Sequence, residues 1–122
     1  MIYLLDSVIL IDHFNGIAAA TAFLREQRAD AAISAITRAE VLTGFDEAQR
    51  AQPARLLDSF PCLPVDKNAA DLAAKLRREH RWKLPDALQA AIAQINGLRL
   101  ATRNTKDFSE AAFDFVVVPY QI

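Results

Sequence analysis

Asp6, Glu40, Asp86 and the Asn104/Asp107 turn each fall at the start of a helix or just after a strand. Carboxylates brought to one point repel each other, and holding ionised groups together away from water is costly unless a cation sits between them. The matching cation is a hard one. Mg²⁺ and Mn²⁺ prefer oxygen ligands, and Mg²⁺ keeps several waters while bridging carboxylates to substrate phosphates. His13, His80 and Cys62 make no zinc pattern, so a zinc centre is not expected.

Each acid taken alone has a plainer role. Asp6 ends an apolar run and can cap the helix that follows. Glu40 closes Thr37-Arg38-Ala39-Glu40, which has the form of a capping box. Asp86 follows Pro85 in a first helical turn, where acids suit the helix dipole, and Asp107 lies in a polar turn. Asp12 belongs to the first helix, away from the strand end, and is expected to be structural or supporting. Their joint placement makes the shared-cation reading worth testing.

The elements that must position these acids follow from periodicity. Ile2–Leu5 reads as a strand, and Asp6-Ser7 as a capping pair before a helix that Gly16 ends. A second helix sets Ala20, Phe23 and Leu24 on one face, and Asp30–Ser34 holds a very short strand. The stretch "SAITRAEVLTGF" is a helix striped by Val41, Leu42 and Phe45. Another helix near Pro53–Ser59 is stopped by Pro61. Cys62–Val65 is a strand, and Asp66 caps a helix bearing Ala69, Leu72, Ala73 and Leu76 that runs into "RREHRWK". Pro85 starts the next helix and Gly97 stops it, with Leu88, Ala91, Ile92 and Ile95 as its buried face. Leu98–Thr102 and Phe115–Val118 complete the strands. Short apolar strands alternating with amphipathic helices indicate an α/β fold with a central, mainly parallel β-sheet flanked by α-helices. In such sheets ligands gather at the carboxyl ends of the strands, which is where the acids lie.

Composition narrows the class. The 122 residues are expected to make a single domain, 1–122, and 52% of them are hydrophobic, enough for a real core. Net charge is −1, so a bound polyanion must be held by a local basic surface or a cation in the site. A lone cysteine forbids an internal disulfide and favours a cytoplasmic setting. The apolar opening lacks a preceding Lys or Arg and is interrupted by Asp6 and Asp12, so it is not read as a signal peptide. No stretch approaches the roughly 20 apolar residues of a membrane span.

Four pieces, "YLLDSVILID", "ISAITRAEVLTGF", "LPDALQAAIAQINGLRLATRNTKDF" and "FVVVPY", occur in the order and at the spacing of one family. Through them the chain resembles PIN-domain ribonucleases of the VapC toxin type over almost its whole length. That resemblance implies a PIN-like fold and a Mg²⁺- or Mn²⁺-dependent endoribonuclease, usually a homodimer, inhibited by a small cognate VapB-type antitoxin. It carries the family's acids onto Asp6, Glu40, Asp86 and Asp107 as catalytic and metal-holding residues. Ser7, Thr102 and Asn104 are carried over as supporting polar groups. The family usually has Asn, Ser or Thr at the second position after the first acid, where this chain has Val8.

On this reading an RNA phosphodiester is hydrolysed by a metal-activated water. Arg38, Arg103, Lys106 and the "RREHRWK" segment are the candidates for gripping the RNA backbone. Trp82 is either a base-stacking platform or a core residue. Two other readings stand beside this one. A catalytically impaired PIN-like module would bind RNA or protein without cleavage, and Val8 and Asn104 are its supporting features. A phosphoacceptor signalling domain would need a paired N-terminal acid and an Asp ending a central strand, and neither is evident.

Overall fold

The computed structural model describes residues 1–122. The chain folds as β1 (Tyr3–Leu5), α1 (Ser7–Phe14), α2 (Ala18–Gln27), β2 (Ala31–Ser34), α3 (Ala35–Thr43), α4 (Ala51–Asp58), β3 (Cys62–Leu63), α5 (Lys67–His80), α6 (Leu84–Ile95), β4 (Arg99–Ala101) and β5 (Val116–Val117). Single 3₁₀ turns occupy Arg28–Asp30 and Glu47–Gln49.

All five strands are parallel, in the order β3-β2-β1-β4-β5. β1 is therefore central, and the direction in which the sheet grows reverses beside it. Open parallel sheets form their ligand crevice at such a reversal, outside the carboxyl ends of the strands. Leu4 aligns with Ala32 on one side and Leu100 on the other.

Alternation along the strands divides the core between the two faces of the sheet. Leu4, Ala32 and Leu100 join α5 and α6 through Ala73, Ala90, Ile92 and Phe108. Leu5, Ala31, Ile33 and Ala101 point to the opposite face and meet Ile9, Leu24, Val41 and Leu57. Because both faces are covered, the inner strands are apolar apart from Arg99 at the start of β4 and Ser34 at the end of β2, rather than alternating.

Side-chain caps begin the helices that matter most. Asp6 Oδ1 accepts the Ser7 N–H, Ser34 Oγ accepts the Thr37 N–H, and Asp66 Oδ1 accepts the Ala69 N–H. Gly16 and Gly97 take the positive φ values that release the chain after α1 and α6.

Several boundaries differ from expectation. The Thr37–Glu40 capping box does not form, because Ser34 already caps α3 directly from the end of β2. Glu40 consequently lies in the second turn of α3 rather than its first. Pro85 is the second residue of α6, a position whose N–H is also free of helical bonding. The strands are shorter than their apolar runs, and Pro64 and Pro119 follow soon after the two edge strands.

The buried face of α6 also differs. Ala87, Gln89, Ala90, Ala91, Ile92 and Ala93 are buried, whereas Ile95 is 46% exposed and Leu88 only half-buried. Small alanines let α6 sit close against α5 and the sheet, so burial spreads around most of its circumference. No helix is long and apolar enough to cross a membrane.

Candidate active site

The site begins where β1 ends. Asp6 is 6% exposed, and both of its oxygens are held. Oδ1 accepts the Ser7 N–H at 2.8 Å, and Oδ2 accepts the Thr102 hydroxyl at 2.7 Å. Burial pushes the Asp6 carboxyl above the ordinary carboxylate range, and the bonds from Thr102 and Ser7 pull part of the way back. Asp6 thus caps α1, and its second oxygen is held by the turn after β4.

Asp86 is the third residue of α6 and half-buried. Its carboxyl is pushed up to about 6, first by burial and then by the charges of Asp6, Asp107 and Glu40. Lys83 is the cation that opposes this rise. Glu40 is exposed on α3, and its carboxyl is raised by partial burial and by Asp6, against a favourable contact with the Ser7 side chain. The four acids assembled from β1, α3, α6 and the turn after β4 therefore share one negative field.

The turn after β4 is built around these acids. Thr102 Oγ1 accepts the Asn104 N–H at 3.0 Å while donating to Asp6, and Asn104 Nδ2 donates to Asp107 at 3.2 Å. Thr102 and Asn104 therefore act by holding Asp6 and Asp107. Val8 is half-buried against the cluster of Leu5, Ile9 and Val41, which accounts for its apolar side chain.

A buried polar network absent from the sequence-based expectations lies behind the acids. The Gln89 carboxamide accepts the Ser34 hydroxyl at 2.7 Å and donates to Thr37 Oγ1 at 2.6 Å. Thr37 in turn donates to the Leu5 carbonyl at 3.0 Å. Leu5 precedes Asp6, Thr37 lies one turn before Glu40, and Gln89 lies one turn after Asp86. Three elements that carry acids are thus joined by one amide. The available signal was a lone glutamine inside the otherwise apolar "ALQAAIA".

The expected basic residues separate into two groups. Arg38 is paired with Asp58 at 2.8 Å, and Arg103 is paired with Asp12, 5% exposed, through Nε at 2.6 Å and Nη2 at 2.8 Å. Lys106 is exposed and enters no ion pair. Trp82 is a core residue, 4% exposed and stacked on His80.

The donor set is all oxygen. His13 bonds Thr21, and Cys62 is exposed on an edge strand, so neither belongs to the cluster. No three acid, histidine or cysteine side chains close into a ready cage. That arrangement fits a cation held by one or two carboxylates and several waters, as Mg²⁺ commonly is, and it does not fit tetrahedral zinc.

The PIN domain family matches residues 3–114. Ribonuclease VapC10 of Mycobacterium tuberculosis is 39% identical over 112 residues, covering 86% of this chain and 84% of that protein. A toxin–antitoxin complex from Klebsiella pneumoniae contains a chain 40% identical, with a TM-score of 0.89 over 98% of this chain and 99% of the other. FitAcB from Neisseria gonorrhoeae is 26% identical, with a TM-score of 0.81 over 99% of this chain and 100% of the other.

Proposed function

The chain belongs to the PIN-domain family, and we propose that it is a Mg²⁺- or Mn²⁺-dependent endoribonuclease, the toxin of a VapBC-type pair. One observation carries the metal dependence: the Asp86 carboxyl is raised to about 6, first by burial and then by the charges of Asp6, Asp107 and Glu40, with Lys83 opposing. Such a field repels an RNA phosphate until a cation reverses it.

Each residue then has a task. Asp6 presents a carboxylate whose direction is fixed by Thr102 and the Ser7 N–H. Asp86, Glu40 and Asp107 would reach the cation directly or through its waters, and Asn104 holds Asp107. The Ser7 hydroxyl, next to Asp6 and in favourable contact with Glu40, helps orient these groups or the phosphate. A divalent cation bound there supplies neutralisation of phosphate charge and a water that ionises more readily. Hydrolysis joins water oxygen to phosphorus and breaks the bond to one bridging oxygen. The reading includes a cytoplasmic setting, a homodimer and a cognate antitoxin that silences the site.

The test is incubation of antitoxin-free protein with RNA, with and without Mg²⁺ or Mn²⁺, beside Asp6→Asn and Asp86→Asn. Cleavage is expected only from the unaltered protein with the cation. Equal cleavage by all three proteins would sink the mechanism.

A further inference from the structure

We propose that the groove at the end of α5 is a track for RNA phosphates beyond the scissile one, an inference that rests on the ribonuclease reading above. Ala74, Arg77, Arg78, Arg81 and Leu84 line this groove, which has a volume of about 560 Å³. All three arginines are exposed, and none enters an ion pair. Arg77 spends one N–H on the Trp82 carbonyl at 3.4 Å and keeps the rest of its fork free. These guanidinium groups contrast with those of Arg38 and Arg103, which already hold carboxylates.

The groove lies at the α5–α6 junction, next in sequence to the start of α6. Its wall residue Leu84 opens α6, on which Asp86 stands two residues later. Trp82, between the groove and α6, packs on Phe108 with ring centroids 4.8 Å apart, and Phe108 follows Asp107. The end of α5 is thereby fastened to the turn that carries the fourth acid.

Cations at a helix C-terminus are ordinarily explained by the helix dipole. Arg81 exceeds that explanation. It adopts the left-handed region, with φ of 59°, at a helix end where glycine is the usual residue and any side chain is disfavoured. An arginine in this disfavoured conformation, standing beside two others, points to a use for its side chain.

The occupant is identified by charge and shape. Guanidinium forks match phosphate oxygens in pairs, and the groove wall contains no acid. Ala74 and Leu84 add aliphatic surface for ribose or base. A chain of net charge −1 with an acidic site needs a local cationic surface to retain RNA, and three unpaired arginines in one groove provide it.

The experiment measures fluorescence anisotropy of a labelled mixed-sequence 12-nucleotide single-stranded RNA, with Asp86→Asn protein as the uncleaving parent. Adding Arg77→Gln, Arg78→Gln and Arg81→Gln together should weaken binding at least tenfold. The slope of log affinity against log salt should become shallower by about 2, since each phosphate contact to a single strand contributes roughly 0.7. Arg25→Gln with Arg28→Gln, which line a different groove, should change affinity less than twofold. Arg81→Gly alone should raise the melting temperature while lowering RNA affinity two- to threefold.

Unchanged affinity in the triple variant overturns the track, and so does equal weakening in the Arg25/Arg28 control. Intact RNA binding with lost binding of polyglutamate would assign the groove to an acidic protein segment instead. Cleavage of total RNA by unaltered protein, run in parallel, separates the two readings. Cleavage together with arginine-independent binding overturns the track alone, whereas absence of both cleavage and RNA binding overturns both.

Discussion

Asp12 receives the Arg103 guanidinium fork on both oxygens, at 2.6 and 2.8 Å, and takes a third bond from the Tyr120 hydroxyl at 2.7 Å. One carboxylate thus ties α1 to the turn after β4 and to the tail beyond β5. Arg103 lies between Thr102, which holds Asp6, and Asn104, which holds Asp107. Asp12→Ala leaves a half-buried guanidinium and the phenol without their partner, and should destabilise by about 3 kcal/mol. Tyr120→Phe should cost about 1 kcal/mol. Urea unfolding at pH 7 measures both, and RNA cleavage by Asp12→Ala should fall as the turn loosens.

The same carboxylate sets a pH limit. The Arg103 fork holds Asp12 below the ordinary carboxylate range, so its contribution to stability is present above the unfolded value of 3.8. That contribution disappears as pH falls through the depressed value. Midpoints measured from pH 5 to pH 2 should drop faster for the parent than for Asp12→Asn.

Asp86 has the opposite sign. Its folded value of about 6 lies above the ordinary 3.8, so the folded state holds the extra proton between those values. Metal-free protein should therefore lose stability from this group as pH rises from 4 to 6. Asp86→Asn removes the repulsion, so it should melt higher than the parent at pH 7, by a margin that vanishes near pH 4. It should also cleave no RNA. A lower melting temperature for Asp86→Asn at pH 7 would contradict the shared field.

Cation binding should reverse that penalty. Chelation with EDTA should abolish cleavage, and Mg²⁺ or Mn²⁺ should restore it. Added Mg²⁺ should raise the melting temperature of the parent more at pH 7.5 than at pH 5, where Asp86 is largely protonated. Calorimetric titration checks the same affinity without any RNA.

Gln89 offers a test of positioning. Gln89→Leu strands the Ser34 and Thr37 hydroxyls and should cost about 2 kcal/mol. Gln89→Glu keeps the shape but buries an ionisable group, so its penalty should be greater at pH 7 than at pH 5. Cation affinity should weaken in both variants, as the register between α3 and α6 is lost.

Asp6 and Asp86 were legible because local features mark them: an apolar run ending in an acid, and a proline opening a helix. The parallel α/β order was legible for the same reason, since short apolar runs alternate with helical stripes. The start of α3 was not, because Ser34 and Thr37 are both competent caps and only the end of β2 decides between them. Nor was the commitment of Arg103 to Asp12, which lie 91 residues apart, since periodicity shows which face a residue occupies and not what it meets. Gln89 was hidden by a pattern that assigns burial to apolar residues, whereas here a buried amide joins three elements.

Pairing of β1 with β4 has a consequence in time. The central strand is made among the first residues, yet its neighbour begins at Arg99, and the Thr102 hydroxyl reaches Asp6 across 96 positions. Such distant pairing forms late and slowly, because a large loop must close before any contact rewards it. During synthesis from the N-terminus, Asp6 is exposed to the cell long before Thr102 and Asp107 exist. The carboxylate cluster is therefore completed only after β4 and the turn that follows it have been made.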